Sequence, residues 1–188
     1  MPKNLKLYIS AGPDLEFERE ALGKAVAQMP ISLGWTIWRT PRRGEPLAEA
    51  EAAIRQADFF FILMGEDITA PVGMELDIAR RAQRPLWAYL KQVARTPAAL
   101  VFVHQARLAW VPYHHPSELA HLMQGALARR LLDHSLEYGL SLEDWERLAN
   151  LIKAAEEADK SKAHMDGSHK ALGGAGGGGV ILPTPPGG

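Results

Sequence analysis

The chain has no cysteine. That excludes disulfides, thiolate nucleophiles and cysteine-ligated zinc or iron-sulfur sites, and it leaves the redox compartment unconstrained. Net charge is nearly absent as well: 21 lysines and arginines stand against 22 aspartates and glutamates, so nothing global argues for nucleic acid or an anionic membrane as a partner. No apolar run approaches the roughly 20 residues of a membrane span, and no basic-then-apolar leader opens the chain. The expectation is a cytoplasmic protein with no membrane partner. Three motifs are also missing. No Gly-x4-Gly-Lys-Ser/Thr loop occurs, and the run from Gly173 to Gly179 lacks the lysine that contacts phosphate. No Gly-x-Gly-x-x-Gly fingerprint follows a candidate strand, and no Gly-x-Ser-x-Gly marks a serine nucleophile. Of the seven histidines, His114 and His115 are adjacent, point apart if extended and have no matched carboxylate, so they read as loop residues and no metal is expected.

What is present is enough apolar residue for one core, followed by a terminus crowded with Gly and Pro. The organisation expected is an α/β domain over residues 1–133, an additional amphipathic helix over 134–160 and a disordered tail over 161–188. In the tail, Val180-Ile181-Leu182 is the single apolar triplet. Along the domain, Leu5 to Ile9 reads as a strand, Ser10 to Pro13 as a turn, and Asp14 as the cap of a helix carrying Leu15, Leu22, Val26 and Met29. Glu16, Glu18 and Glu20 lie near that helix's positive end. Ile31 to Arg39 reads as a second strand, and Pro46 opens a helix with Leu47, Ala50, Ile54 and Ala57 as its buried stripe. Leu100–Val103 and Leu108–Val111 both qualify as the fifth strand. A helix follows from about Pro116 to Leu132. Ser141-Leu142-Glu143-Asp144 starts a further helix as a capping box, with Leu142, Trp145, Leu148 and Ile152 as its stripe to about residue 158. Strands alternating with helices predict a doubly wound, flavodoxin-like parallel sheet of five strands in the order 2-1-3-4-5, with one extra C-terminal helix.

The centre of that pattern is Asp58 to Leu90. Phe59 to Met64 is wholly apolar, which suits a strand buried on both faces. After Gly65 and a short loop, Pro71 begins a helix that runs to about Gln83, and Leu86 to Leu90 is the next strand. On the helix Pro71, Met74, Ile78 and Ala82 form an apolar arc, and Glu75 falls inside it, between Ala82 and Ala79. A carboxylate turned toward the sheet is costly unless it is paired or opens into a polar cleft. Glu75 lies just past a strand's carboxyl end, where open parallel sheets bind ligands. The plainer alternative is a carboxylate that favours the helix dipole or pairs with an arginine.

Three stretches together resemble one superfamily. Leu7-Tyr8-Ile9-Ser10 followed by Asp14-Leu15-Glu16-Phe17-Glu18-Arg19 is similar to the start of the TIR-like domains that often precede signal-transducing NTPases in bacteria. Arg42-Arg43-Gly44-Glu45-Pro46-Leu47, followed by Ala53 to Asp58, resembles the loop and helix after the second strand of TIR domains. Gly73-Met74-Glu75-Leu76 resembles the helix start that bears the catalytic glutamate in TIR domains that cleave NAD. The sequence departs from many relatives after the third strand, where Gly65-Glu66-Asp67-Ile68-Thr69 stands in place of Gly-x-x-Tyr-Gly.

The resemblance implies cleavage of an N-glycosidic bond with Glu75 as catalytic carboxylate and NAD as substrate rather than cofactor. It implies substrate contacts from Ser10, Gly12, Asp14, Trp38 and Arg39, and an interaction loop at Arg42, Arg43, Gly44 and Glu45. Ser10 and Asp14 also read as turn and cap residues, Trp38 as core and Arg39 as solvated rim. The partners implied are further copies of the chain, through the extra helix, and a separate NTPase or sensor chain. Two other functions fit the same residues: a non-catalytic interaction module, and an enzyme like the nucleoside deoxyribosyltransferases, which share the fold and the glutamate placement.

Overall fold

The computed structural model describes residues 4–42 and 45–170, with side chains described through residue 157. The chain divides into two compact units, Met1–Ile152 and Lys153–Gly188. In the first, five strands form one parallel sheet: β1 (Asn4–Ala11), β2 (Gly34–Arg39), β3 (Phe59–Met64), β4 (Leu86–Lys91) and β5 (Trp110–Tyr113). Their order is β2-β1-β3-β4-β5, the flavodoxin-like order expected. The helices are α1 (Glu16–Ala27), α2 (Leu47–Gln56), α3 (Ala70–Arg81), α4 (Pro97–Gln105), α5 (Pro116–Asp133), the single turn α6 (Ser135–Tyr138) and α7 (Leu142–Lys170).

The sheet has a core on each face. Strand alternation sends Leu5, Leu7, Ile9, Phe59, Phe61 and Leu63 to one side, where α1, α5 and Leu148 of α7 close over them. Tyr8, Phe60 and Ile62 go to the other side, against Ile54 of α2 and Val72, Leu76 and Ala79 of α3. β3 is buried at all six positions, which accounts for its unbroken apolar sequence: a central strand under helices on both sides has no solvent face to give to polar residues. At about 1.5–3 kcal/mol for each large apolar side chain fully buried, these three central phenylalanines alone outweigh any surface interaction in the molecule.

Several expectations are corrected. Ser10 and Ala11 continue β1 instead of turning. Asp14 does not cap α1; it lies in a 3-10 turn, Pro13–Leu15, and its carboxylate accepts the Glu66 N–H at 2.9 Å. The second strand begins at Gly34, not Ile31. Leu100–Val103 is helical, within α4, because Thr96 caps it by accepting the Ala99 N–H and Pro97 fits its first turn. The buried arc of α3 is Val72, Glu75, Leu76 and Ala79, turned from the arc read in the sequence, so that Met74 is half exposed. Glu18 lies in the first turn of α1, as expected, and is fully buried there, with Lys91 Nζ 2.7 Å away.

Ser141 and Asp144 form the capping box at the start of α7: Asp144 N–H donates to Ser141 Oγ at 3.1 Å and Asp144 accepts from Ser141 in return. The stripe of α7 is split. Leu148 is fully buried and Ile152 packs beside it, whereas Leu142 and Trp145 stay exposed. α7 runs to Lys170, so residues 161–170, assigned above to the tail, are helical. Residues 171–188, with the Val180-Ile181-Leu182 triplet, lie outside the described residues, as do Arg43 and Gly44 of the expected interaction loop. Among the described residues, no helix is long and apolar enough to cross a membrane.

Candidate functional site

Glu75 is the element from which the site is built. α3 starts beyond the loop that follows β3, with Pro71 in its first turn, and its inward arc carries Glu75 under the carboxyl ends of β1 and β2. The side chain is fully buried. Its Oε1 accepts the Tyr8 hydroxyl at 2.8 Å, and its Oε2 accepts the Ser10 hydroxyl at 2.5 Å and the Thr40 hydroxyl at 2.8 Å. Tyr8 and Ser10 are two apart on β1 and so share a face. Thr40 follows the last residue of β2.

Burial pushes the Glu75 carboxyl above its ordinary value, against the pull of the Ser10, Tyr8 and Thr40 hydroxyls and the Arg19 guanidinium. Burial and the adjacent Glu75 carboxylate push the Tyr8 phenol far up, so Tyr8 remains a donor throughout the working pH range. Among the described residues Glu75 has no salt-bridge partner. Three neutral donors therefore solvate the carboxylate without cancelling its charge.

Two clefts open beside this shell. One, of about 540 Å³, is lined by Tyr8, Arg19, Trp38, Arg39, Glu45 and Glu49 among others. The second, of about 600 Å³, is lined by Ala11, Pro13, Arg19, Thr40, Arg42 and Thr69 among others. Tyr8 thus separates Glu75 from the first cleft and Thr40 separates it from the second, while Arg19 borders both. Arg19 donates to the Gly12 carbonyl at 2.8 Å and lies 3.3 Å from Glu16. Arg39 pairs with Glu45 at 3.3 Å, and Arg42 with Glu16 at 3.3 Å. The Arg42 N–H, which donates to Glu45 at 2.7 Å, and then the Arg39 guanidinium hold the Glu45 carboxyl below its ordinary value. These are exposed pairs, worth little in water.

The loops around the clefts are laced together. Asp14 reaches across to the Glu66 N–H, the Thr96 N–H donates to the Glu66 carbonyl at 2.9 Å, and the Thr96 hydroxyl donates to Asp67 at 2.5 Å. Asp14 occupies the space a side chain on residue 65 would need: a Cβ there would sit 2.1 Å from its Oδ2. That close approach is why the loop after β3 begins with Gly65.

Of the residues singled out in the sequence, Ser10 touches Glu75, and Trp38, Arg39, Arg42 and Glu45 line the clefts. Gly12 and Asp14 belong to the rim, where they hold Arg19 and Glu66. Lys6 Nζ lies 5.7 Å from the Trp38 ring centroid. The sequence reading missed Tyr8, Thr40 and Arg19. Strand alternation from Ser10 was the available signal for Tyr8; Thr40 needed the β1–β2 register.

No protein-family model matches the chain and no curated protein sequence matches it. Similar solved structures include the CMP N-glycosidase BcmB of Clostridium botulinum, at 13% identity and a TM-score of 0.44, covering 62% of this chain and 97% of that one. CapF with the inhibitor 3-isopropenyl-tropolone is similar at 15% identity and a TM-score of 0.36, over 57% of this chain and 29% of CapF. The metal-soaked flavodiiron core of Flv1 from Synechocystis sp. PCC6803 is similar at 11% identity and a TM-score of 0.40, over 83% and 36%. Likeness this loose carries no chemistry across, since one fold hosts many functions.

Proposed function

We propose that this chain is a TIR-like effector or signalling domain that, when assembled, cleaves the N-glycosidic bond of NAD(P), with Glu75 as the catalytic carboxylate. The observation that carries the reading is a buried carboxylate held by three hydroxyls and no cation, directly behind two clefts at the carboxyl ends of β1 and β2. A carboxylate kept for stability alone is ordinarily paired, because its desolvation is otherwise poorly offset. One solvated by neutral donors keeps its charge for something else.

A ribose ring losing its base supplies that partner. As the bond between C1′ and the base nitrogen breaks, its electron pair leaves with nicotinamide and positive charge builds on the ring. Glu75, turned about its side-chain bonds toward the cleft, stabilises that charge or adds to C1′. Water then delivers hydroxide to C1′, a proton is released, and the carboxylate is regenerated. Arg19, Arg39 and Arg42 offer partners for phosphate oxygens, and Trp38 offers a face for a base.

Release of nicotinamide from NAD, followed over a range of protein concentrations and in crowded solution, tests the reading. Glu75→Gln is expected to lower the rate by about 10²–10³-fold, the usual effect of removing one electrostatic stabiliser. Only the ionised carboxylate acts, so activity falls as pH drops through the raised Glu75 value, giving an acid limb above 4.5, the ordinary glutamate value. Equal rates for Glu75→Gln and wild type would sink the assignment.

The complete burial of Glu75 favours a second reading, a non-catalytic TIR-like module that self-associates or joins a partner NTPase or sensor chain. No nicotinamide release in any assembled state, together with altered sedimentation of Arg42→Glu, is the outcome that reading requires. A deoxyribosyltransferase-like enzyme would use the same carboxylate with a free base in place of water, and base exchange in the presence of added nucleobase identifies it.

A further inference from the structure

The three hydroxyls around Glu75 are not equivalent. Tyr8 and Ser10 have no hydrogen bond from their hydroxyls to any other described residue, so each O–H is free to swing and to accept as well as donate. Thr40 is different. Its backbone N–H donates to the Ile9 carbonyl at 3.1 Å, continuing the β1–β2 pairing, and its Oγ1 accepts the Ala11 N–H at 3.0 Å. With one lone pair of that oxygen taken by β1, the Thr40 oxygen is held in place while its hydroxyl donates to Glu75 Oε2, 2.8 Å away. Thr40 is also buried, yet it contributes to the wall of the larger cleft beside Arg42, Thr69 and Pro71.

We propose that Thr40 is the positioning residue of the site: it holds the Glu75 carboxylate at the cleft wall, because it is the one donor of the three whose oxygen is itself anchored by a backbone amide. This rests on the N-glycosidase reading above. Ser10 and Tyr8 can swing with the carboxylate, whereas the Thr40 oxygen stays where the Ala11 amide holds it. A donor fixed in place favours the ionised form over the protonated one, in which the carboxyl would be useless to a developing cation. The other polar groups facing Glu75 are Tyr8 and Ser10 from β1 and the Arg19 guanidinium from α1, with Arg39 acting on Tyr8. Arg19 is held by the Gly12 carbonyl, but neither the Tyr8 nor the Ser10 hydroxyl has a second, backbone partner in the way that Thr40 has.

The test follows the Glu75 carboxyl itself, by carbon NMR on glutamate-labelled protein without substrate. In Thr40→Val, which keeps the shape and loses the donor, the titration midpoint of Glu75 is expected to rise by about one unit or more; in Thr40→Ser it stays with wild type. The acid limb of nicotinamide release moves up with the midpoint in Thr40→Val, while KM stays within about threefold, as a merely structural lesion would not arrange. Wild-type protein gives a second measurement that needs no variant: a slowly exchanging Thr40 hydroxyl proton, retained as Glu75 titrates. A folded Thr40→Val with an unshifted midpoint overturns the proposal, and so does a Thr40 hydroxyl proton in fast exchange with water. Because both signals are read without turnover, they judge Thr40 even if no nicotinamide is released, an outcome that would refute the catalytic reading instead.

Discussion

Replacing Asp144 by alanine is the sharpest probe of how the C-terminal helix is joined to the domain. The Asp144 carboxylate, only 1% exposed, accepts the Ser32 N–H at 2.8 Å, the Ser32 hydroxyl at 2.7 Å and the Ser141 hydroxyl at 2.8 Å. Burial raises its carboxyl, but the hydrogen bonds from Ser32 and Ser141 outweigh that and hold it below its ordinary value. Hydrogen bonds to a charged group contribute about 1.5–3 kcal/mol each. Ser32 is exposed, however, so water replaces much of what its groups lose, and the Ser141 part is a helix cap worth about 1 kcal/mol. The expected loss for Asp144→Ala is therefore about 2–3 kcal/mol, or a fall of about 4–12 °C in Tm for a chain of this size. The sign with pH follows from the depressed value: the contribution is complete above the unfolded value of about 3.9 and is lost as pH falls through the folded one. Chemical denaturation of wild type and variant should thus give a constant gap from pH 7 to about 5 and a shrinking gap below about 4. A loss under about 1 kcal/mol, or a gap that does not respond to acid, refutes the account.

Two further substitutions test the rim and the opposite face of the sheet. Gly65→Ala forces Asp14 away from Glu66, so amide exchange at Glu66 is expected to accelerate and stability to fall by about 1–2 kcal/mol; Asp14→Ala should reproduce both, and a protected Glu66 amide in Gly65→Ala would show that the rim is held by something else. Lys91→Met strips the cation from the fully buried Glu18, and since the Lys91 side chain is 26% exposed the loss should be about 2–3 kcal/mol, below that of a fully buried pair. Most of it should return when Glu18→Leu is added, and a neutral Lys91→Met would mean the contact is not needed to hold Glu18.

The parts of the fold that were legible are those where one local signal sufficed. Phe59–Met64 read as a strand covered on both faces, and the prolines at 46 and 71 announced helices, Pro71 in the first turn of α3 and Pro46 one residue before α2. Leu100–Val103 failed as a strand because its β-branched, apolar composition was outweighed by the helix start just before it, the Thr96 cap and Pro97 in the first turn. Glu75 was legible from its offset along a helix after a strand. Its partners were not: Thr40 reaches it only because β2 pairs with β1 in a register that sets Arg39 beside Ile9, and no periodicity within either strand encodes that offset. The burial of Glu18 was not legible for a related reason. Its place near a helix N-terminus could be read locally, but Lys91, which pairs with it, lies at the end of β4, far along the chain.

The central place of β3 also dictates when the molecule can become stable during synthesis. β1 is the first strand made, yet its residues pair on one side with β2 and on the other with β3, Leu7 opposite Phe59. A nascent chain that has not yet released Phe59–Met64 holds a two-stranded parallel ribbon with Leu7 and Ile9 facing water, and such a ribbon does not persist alone. The sheet must therefore close late, through pairings between segments distant in sequence, which is slow and leaves apolar strand edges open to aggregation meanwhile. Any fragment or fusion junction placed ahead of residue 59 consequently cuts a folding unit rather than separating two.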